Sequence, residues 1–312
     1  MSKTIALATP HMEDVHVESA MQEVAIGYRN QLYIAPLFAP VVQVAKESDR
    51  YYIFDKAEWL RDQADTDRRP GTRAPRGGYT TSTANYVLNE MAQAHPIPDR
   101  IAANADSVIR PYERGVNWCM EMVLLRRERH VATTVMVTGV WGTDNSSATD
   151  WDDFSNGDPA NDVNTAKRTV QEATGFVPNT MVIGQVVYDA LVINPDALDR
   201  FKHTETGILT EAQVAQWLGI ERLLVGKATR NTAAEGVAAT MSPIFDDDAL
   251  IMYVPTSPAM DEPAACYLFQ KDGVTTKRWR EEAEGQDVVE ASILTNIVVT
   301  ASDAGYFFSD IV

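Results

Sequence analysis

The residues whose types and spacing could do chemistry are few and scattered. Five histidines stand at His11, His16, His95, His130 and His203. His11 and His16 are five positions apart, whereas two ligands on one helical face need a spacing of three or four. Cys119 and Cys266 lie far apart without metal-ligand spacing, so they read as two buried thiols rather than a disulfide framework. Carboxylates crowd at Asp144, Asp150, Asp152, Asp153 and Asp158. A calcium loop would alternate oxygen ligands and end on a bidentate glutamate. Phe154 breaks that alternation and no glutamate follows at the required spacing, so the stretch reads as an exposed acidic loop. Asp246-Asp247-Asp248 and Glu281-Glu282 are adjacent carboxylates of the solvated kind. The strand exit at Asn179–Ile183 carries no serine, which excludes a hydrolase elbow there. Catalytic residues, cofactor and metal are accordingly expected to be absent.

Arginine is the exception. The stretch RDQADTDRRPGTRAPRGG holds Arg61, Arg68, Arg69, Arg73 and Arg76 beside Asp62, Asp65 and Asp67. Interleaved aspartates and the lack of an aromatic stacking platform speak against nucleic acid. β-Branched and aromatic runs flank the stretch: Val41–Val44 with Tyr51–Phe54 before it, Gly78–Thr83 and Tyr86–Leu88 after it. They predict a long hairpin with a polar tip. A two-stranded ribbon cannot bury enough apolar surface to stand alone in water, so a projecting hairpin needs a partner surface. The other reading is a solvated loop, whose composition this also is.

The elements that would position these residues belong to a chain of 312 residues, enough for one large or two ordinary domains. Hydrophobic residues are 45% and charged residues 23%, and no window approaches the roughly twenty apolar residues of a bilayer span. No membrane partner is expected. The start, MSKTIALATPHMEDVH, turns acidic at once and lacks a signal-peptide core, which reads as cytoplasmic synthesis. With 27 basic against 44 acidic residues the net charge is −17, unsuited to tight binding of a phosphate backbone.

Taken in order, Glu18–Tyr33 reads as a helix with Met21, Val24, Ala25 and Tyr28 on one side, broken by Pro36 and Pro40. Pro96-Ile97-Pro98 reads as a turn. Asp106 or Ser107 would cap a long helix to about His130, with Tyr112, Val116, Cys119, Met120, Val123 and Leu124 on its apolar face and Glu113, Arg126, Arg127, Glu128 and Arg129 mostly elsewhere. Val131–Trp141 reads as extended. Asp158-Pro159 opens a helix striped by Val163, Ala166, Val170 and Ala173 and stopped by Gly175. Strand, helix, helix, helix and strand then follow from Met181 to Val225, punctuated by Asn194-Pro195, a Thr210/Gln213 capping box and Gly219. Beyond Ala228 come strands at Ala249–Val254 and Ala264–Phe269, a tight turn at Asp272-Gly273, and a hairpin of Thr275–Arg280 with Asp287–Thr300 across Glu284-Gly285-Gln286. Tyr306, Phe307 and Phe308 stand near the end.

One ordered series of these signals carries a resemblance. Asn179, an apolar strand, Gly184, a helix with Tyr188 and Leu191, Asn194-Pro195, a polar turn from Lys202 to Gly207, Thr210, Leu218-Gly219-Ile220 and Val225-Gly226-Lys227-Ala228 together resemble the axial domain of tailed-bacteriophage major capsid proteins. The rest of the chain fits the same family in order. The resemblance implies an α+β fold with an N-terminal arm (1–45), an extended β-hairpin loop (46–95), a peripheral domain with a long spine helix (96–158), an axial domain with a central sheet flanked by helices (159–274) and return strands of the peripheral domain (275–312). It implies a virion protein, made in the host cytoplasm, that self-assembles into hexamers and pentamers of an icosahedral head around double-stranded DNA. Its implied partners are other copies of itself, a portal, a separate scaffolding protein, since only about forty residues precede the loop, and a decoration protein. Intersubunit contacts are expected at Trp59, Arg61, Arg68, Arg69, Arg73 and Arg76 and in the arm. Lys56 lies near the loop, but nothing marks it as a crosslinking residue. The alternatives are an encapsulin-like compartment shell, which shares the fold, and an unrelated acidic enzyme or binding protein.

Overall fold

The computed structural model describes residues 32–54, 70–71, 73, 76, 78, 80–104, 110–145, 149–201, 209–257 and 262–312. The expected helix Glu18–Tyr33 and the caps Asp106 and Ser107 lie outside these residues, apart from the helix's last two positions. The chain enters through a single helical turn, α1 (Ala35–Phe38), with Pro36 in its first turn, where a missing N–H costs nothing. Strand β1 (Val41–Gln43), the pair β2 (Ser48–Phe54) and β3 (Thr81–Val87), and the ten-residue β4 (Asn89–Pro98) follow. A short helix α2 (Asp99–Asn104) precedes the 25-residue α3 (Pro111–Val135). Next come β5 (Thr143–Asn145) and α4 (Pro159–Thr174), capped by the Asp158 carboxylate and closed by Gly175 at φ 78°. The series β6 (Thr180–Gly184), α5 (Gln185–Ile193), α6 (Pro195–Phe201), α7 (Glu211–Leu218) and β7 (Arg222–Gly226) has the expected order. Its capping box at Thr210 and Gln213 forms, and Gly219 ends α7 in the left-handed region. The remaining strands are β8 (Thr229–Asn231), β9 (Met241–Pro243), β10 (Ala249–Met252), β11 (Cys266–Glu281), β12 (Gln286–Val299) and β13 (Gly305–Phe308).

These strands make two main sheets. The first has the order β1-β11-β12-β4, the second β5-β13-β10-β6-β7. Helix α3 lies across β4 and β12 of the first sheet. An ideal Cβ built on Gly115 would sit 3.0 Å from Val289 Cγ2 and 3.2 Å from His95 Cδ2, so the absence of a side chain there is what lets the helix lie this close. The second sheet is covered on both faces. Met181, Ile183, Ala249, Ile251 and Phe308 pack with Trp151, α4, α5 and α7 in one cluster. Val182, Leu250, Met252 and Phe307 pack with α1, the last turns of α3 and Leu268 and Ile297 of the first sheet in another. That second cluster joins the two sheets through shared apolar contacts.

Five expectations are corrected. Helix α3 starts at Pro111, behind Arg110 at φ 42°, and runs five residues past His130. Val131, Ala132 and Val135 are buried and continue the three- and four-residue spacing, while the Thr133 and Thr134 hydroxyls donate to carbonyls four residues back. Burial and these bonds override the extended preference of a β-branched run. Val41–Gln43 is not a hairpin limb but pairs in parallel with Leu268–Gln270 of β11. Pro96-Ile97-Pro98 is not a turn; it lies in β4, which tolerates proline because it is an edge strand. Asp272 and Gly273, at φ 55° and 73°, form a bulge between Lys271 and Val274 inside one continuous strand rather than a turn. Gly305–Phe308, expected among the return strands, sits between β5 and β10 of the second sheet.

Candidate assembly surfaces

The groups that could do chemistry are held apart. Among the described residues no cluster of three or more His, Cys, Asp and Glu is placed to hold a metal ion. Both cysteines are free and buried, and burial pushes the thiols up, to about 11 at Cys119 and about 12 at Cys266. Neither is a thiolate nucleophile at neutral pH. His95 packs against Trp118, 5.4 Å between ring centres, and His130 Nε2 lies 2.9 Å from Asn296 Oδ1. Burial pushes the Asp248 carboxyl up to about 6, against the Asp310 amide donating to it at 3.2 Å, and the nearby carboxylates of Asp247, Asp310 and Asp246 add to the rise. The acidic loop around Asp150–Asp153 is mostly exposed, yet Trp151 within it is fully buried. No helix of the described residues is long and apolar enough to cross a membrane.

What the chain builds instead are a clamped ribbon and an anchored entry segment. Strands β2 and β3 pair from Ser48↔Val87 to Phe54↔Thr81. Their inner face rests on β11: Tyr86 stacks on Phe269 at 4.7 Å and Tyr51 tilts against it at 5.9 Å. Around this aromatic contact, Lys271 pairs with Glu47 at 3.0 Å, the Leu88 amide donates to Glu47 O, and Asn296 Nδ2 donates to Val87 O at 2.8 Å. The root is thus fixed to the first sheet. Along the ribbon's other face Tyr52 and Val87 remain 64% and 58% exposed. Of the residues expected to make contacts, Arg73 and Arg76 are described and exposed. Trp59, Arg61, Arg68 and Arg69 lie outside the described residues, as does Lys56.

The entry segment is held by a residue that periodicity had assigned to the polar side of the long helix. Glu128 has no exposed surface. Its carboxylate accepts from the Ile34 amide at 2.9 Å and from the Ala35 amide at 3.0 Å. One and a half to two turns earlier on the same helix, Glu121 accepts from the Tyr33 hydroxyl at 2.6 Å. Phe38 is buried against Phe245, and Arg222 donates to Leu37 O. Burial pushes the Glu128 carboxyl up, while the two amides and Arg127 pull it down. Burial likewise lowers Arg127. The spacing signal was available, since 128 lies four after Leu124 and three before Val131 on the buried stripe. A charged residue type hid it.

Beside α3, the outer flank of β4 borders a groove of about 530 Å³ lined by Asn89, Met91, Gln93, Met122, Arg126 and His130 among others.

No family model matches the chain. Over 304 residues it is 26% identical to the major capsid protein of Burkholderia phage BcepMu, spanning 95% of this chain and 96% of that one. It is 22% identical over 320 residues to the major capsid protein of Pseudomonas phage JBD67, covering 95% and 97%. Among solved structures it is similar to a phage-related protein of Bordetella bronchiseptica RB50, with a TM-score of 0.76 at 21% identity over 95% and 97% of the two chains. The capsid of cyanophage P-SCSP1u matches with a TM-score of 0.55 at 13% identity, over 98% and 92%. The SrpI encapsulin of Synechococcus elongatus matches with 0.55 at 10% identity, over 94% and 95%.

Proposed function

We propose that this chain, a homologue of phage major capsid proteins with the fold of phage capsids and encapsulins, is the subunit that builds the head of a phage. Copies assemble into hexamers and pentamers of an icosahedral shell that encloses double-stranded DNA. The observation that carries the reading is the extent of the homology: both curated relatives are major capsid proteins and are matched over nearly their whole length. The molecule's build supports it. A ribbon with a rigid root and exposed Tyr52 and Val87 has no apolar partner on that face among the described residues, which suits contact with another copy. In this reading the first sheet with α3 is the peripheral unit, the second sheet with α4–α7 is the axial unit, and the segment before Val41 is the arm. Trp59, Arg61, Arg68, Arg69, Arg73 and Arg76 make contacts between copies, the arginines pairing bidentately with a neighbour's carboxylates.

A net charge of −17 suits a container whose wall does not grip the packed phosphates. One subunit type serves hexamers and pentamers around a body joined by the shared cluster, and weak contacts repeated around each ring add by multivalency. A portal, a scaffolding protein and a decoration protein complete the set of partners. The test is negative-stain microscopy with sedimentation of the purified chain. Rings or closed shells are expected; a stable monomer under every condition would sink the reading.

A further inference from the structure

Arg127 and Glu128 are neighbours on α3 and are satisfied very differently. The Glu128 carboxylate is occupied by two neutral donors: the Ile34 amide at 2.9 Å from Oε1, and the Ala35 amide at 3.0 Å from Oε2 and 3.2 Å from Oε1. Arg127 lies on the same flank, three residues after the buried Leu124 and four before the buried Val131. It keeps some exposed surface, yet its Nε is buried and finds no acceptor. Among the described residues it enters no ion pair, and the charge that acts on it is that of Glu128. A buried donor of a charged group without an acceptor is costlier than a neutral one. The structure therefore holds an unused strong donor beside an acceptor taken by weaker ones. Side chains one position apart on a helix point about 100° from each other, so the two groups meet only if one of them swings.

What Glu128 holds is a weak element. Helix α1 is one turn of four residues, too short to stand by its own bonds. Beyond Pro36 the chain is secured without Glu128: Arg222 donates to Leu37 O, Phe38 packs on Phe245, and β1 pairs with β11. The piece from Tyr33 to Ala35 can turn about Pro36 while those contacts stay. Turning uncovers Ile34 and Ala35 and breaks the Tyr33 bond to Glu121. A charge-assisted fork between Arg127 and Glu128 offsets that loss.

We propose that Arg127 and Glu128 form a two-state latch on the entry segment. In the docked state Glu128 holds the amides of Ile34 and Ala35, and Arg127 lacks an acceptor. In the released state residues 33–35 turn away about Pro36 and the Glu128 carboxylate takes the Arg127 guanidinium instead. Each state satisfies what the other leaves unsatisfied, which keeps the two close in free energy. A subunit that meets non-identical neighbours can use a part with two orientations. That use rests on the shell-subunit reading; the latch itself does not.

Hydrogen exchange resolved to single residues, on free subunits of the full chain, tests the latch. In the wild type the Ile34 and Ala35 amides should be protected at least about tenfold less than those of Val182, Ile183, Leu250 and Ile251 in the central strands, although all are buried. Arg127→Met keeps the aliphatic bulk and removes the competing donor, so exchange at 34 and 35 should slow about fivefold or more. A guanidinium that merely steadied the docked carboxylate would act the other way, and its loss would speed exchange there. In a Glu128→Gln background the same substitution should change exchange by less than about twofold, because no carboxylate remains to take the guanidinium. Unchanged or faster exchange at 34 and 35 in Arg127→Met overturns the proposal. Equal slowing in both backgrounds also overturns it, since Arg127 would then be seeking water rather than Glu128. Protection at 34 and 35 equal to that of the central strands overturns it on the wild type alone, which decides the matter even if Arg127→Met fails to fold. A wild-type chain that never forms rings or shells sinks the shell-subunit reading and leaves the exchange result standing.

Discussion

At position 128 a fully buried carboxylate accepts from two backbone amides at the start of α1. Removing it strands both donors away from water, at about 1–3 kcal/mol each. Glu128→Ala is accordingly expected to cost about 3 kcal/mol in urea denaturation, and Glu128→Gln about half as much because one acceptor oxygen stays in place. Equal loss in the two variants would mean that the charge, not the acceptor geometry, holds the segment. Asp248 offers the pH counterpart. Its folded-state pKa is raised to about 6 by burial, so between the ordinary carboxylate range and pH 6 the native state binds more protons than the unfolded one. The slope of stability with pH is then negative for this group. Its contribution is fully present below about pH 4 and is lost as pH rises through 6. Thermal melts from pH 4 to 7 should show Asp248→Asn gaining on the wild type as pH increases; a constant gap would remove Asp248 from the pH response.

Elements whose ends are marked by local chemistry are legible in the sequence. Asp158-Pro159 and Gly175 bracket α4, and Thr210, Gln213 and Gly219 bracket α7, because caps are decided by neighbours in sequence. The Asp158 carboxylate accepts from the Asn161 amide at 3.0 Å. Asp158→Ala should lower stability by about 1 kcal/mol and the melting temperature by about 2 °C, and Asp158→Ser should recover most of it. What was not legible depends on partners distant in sequence. Val131–Val135 looks extended until α1 and the second sheet arrive to bury it. Asp272-Gly273 signals a turn in any local window, and only the unbroken pairing of β11 with β12 on both sides makes it a bulge. Pro96 and Pro98 break strands in general and are harmless on an outer edge. For the assembly surfaces the arginine-rich stretch was visible as composition, whereas the Glu128 anchor required knowing what lies opposite.

At the scale of the whole molecule, the proposed contact residues and the described core are different sets. Among the described residues, the four buried clusters draw on Ile34 to Val44, Tyr51, and Tyr86 onward, and on neither Arg73 nor Arg76. The ribbon's root is secured by Glu47, Tyr86, Leu88, Phe269, Lys271 and Asn296, all outside Asp62–Arg76. Deleting 62–76 and bridging the gap with a short glycine-serine turn leaves every described cluster residue and root contact in place, and closure entropy changes slowly with length. The subunit should fold with an unchanged spectrum and a melting temperature within about 2 °C of the wild type. If the arginines meet a neighbour as proposed, assembly should fail, because contacts that are individually weak fail together once one of the repeated set is gone. Sedimentation and negative-stain images of the deletion variant read this directly. Shells of normal size and yield would show that the tip is not the clasp, and would shift the adhesive role to the ribbon's clamped half, where Tyr52 and Val87 stand exposed.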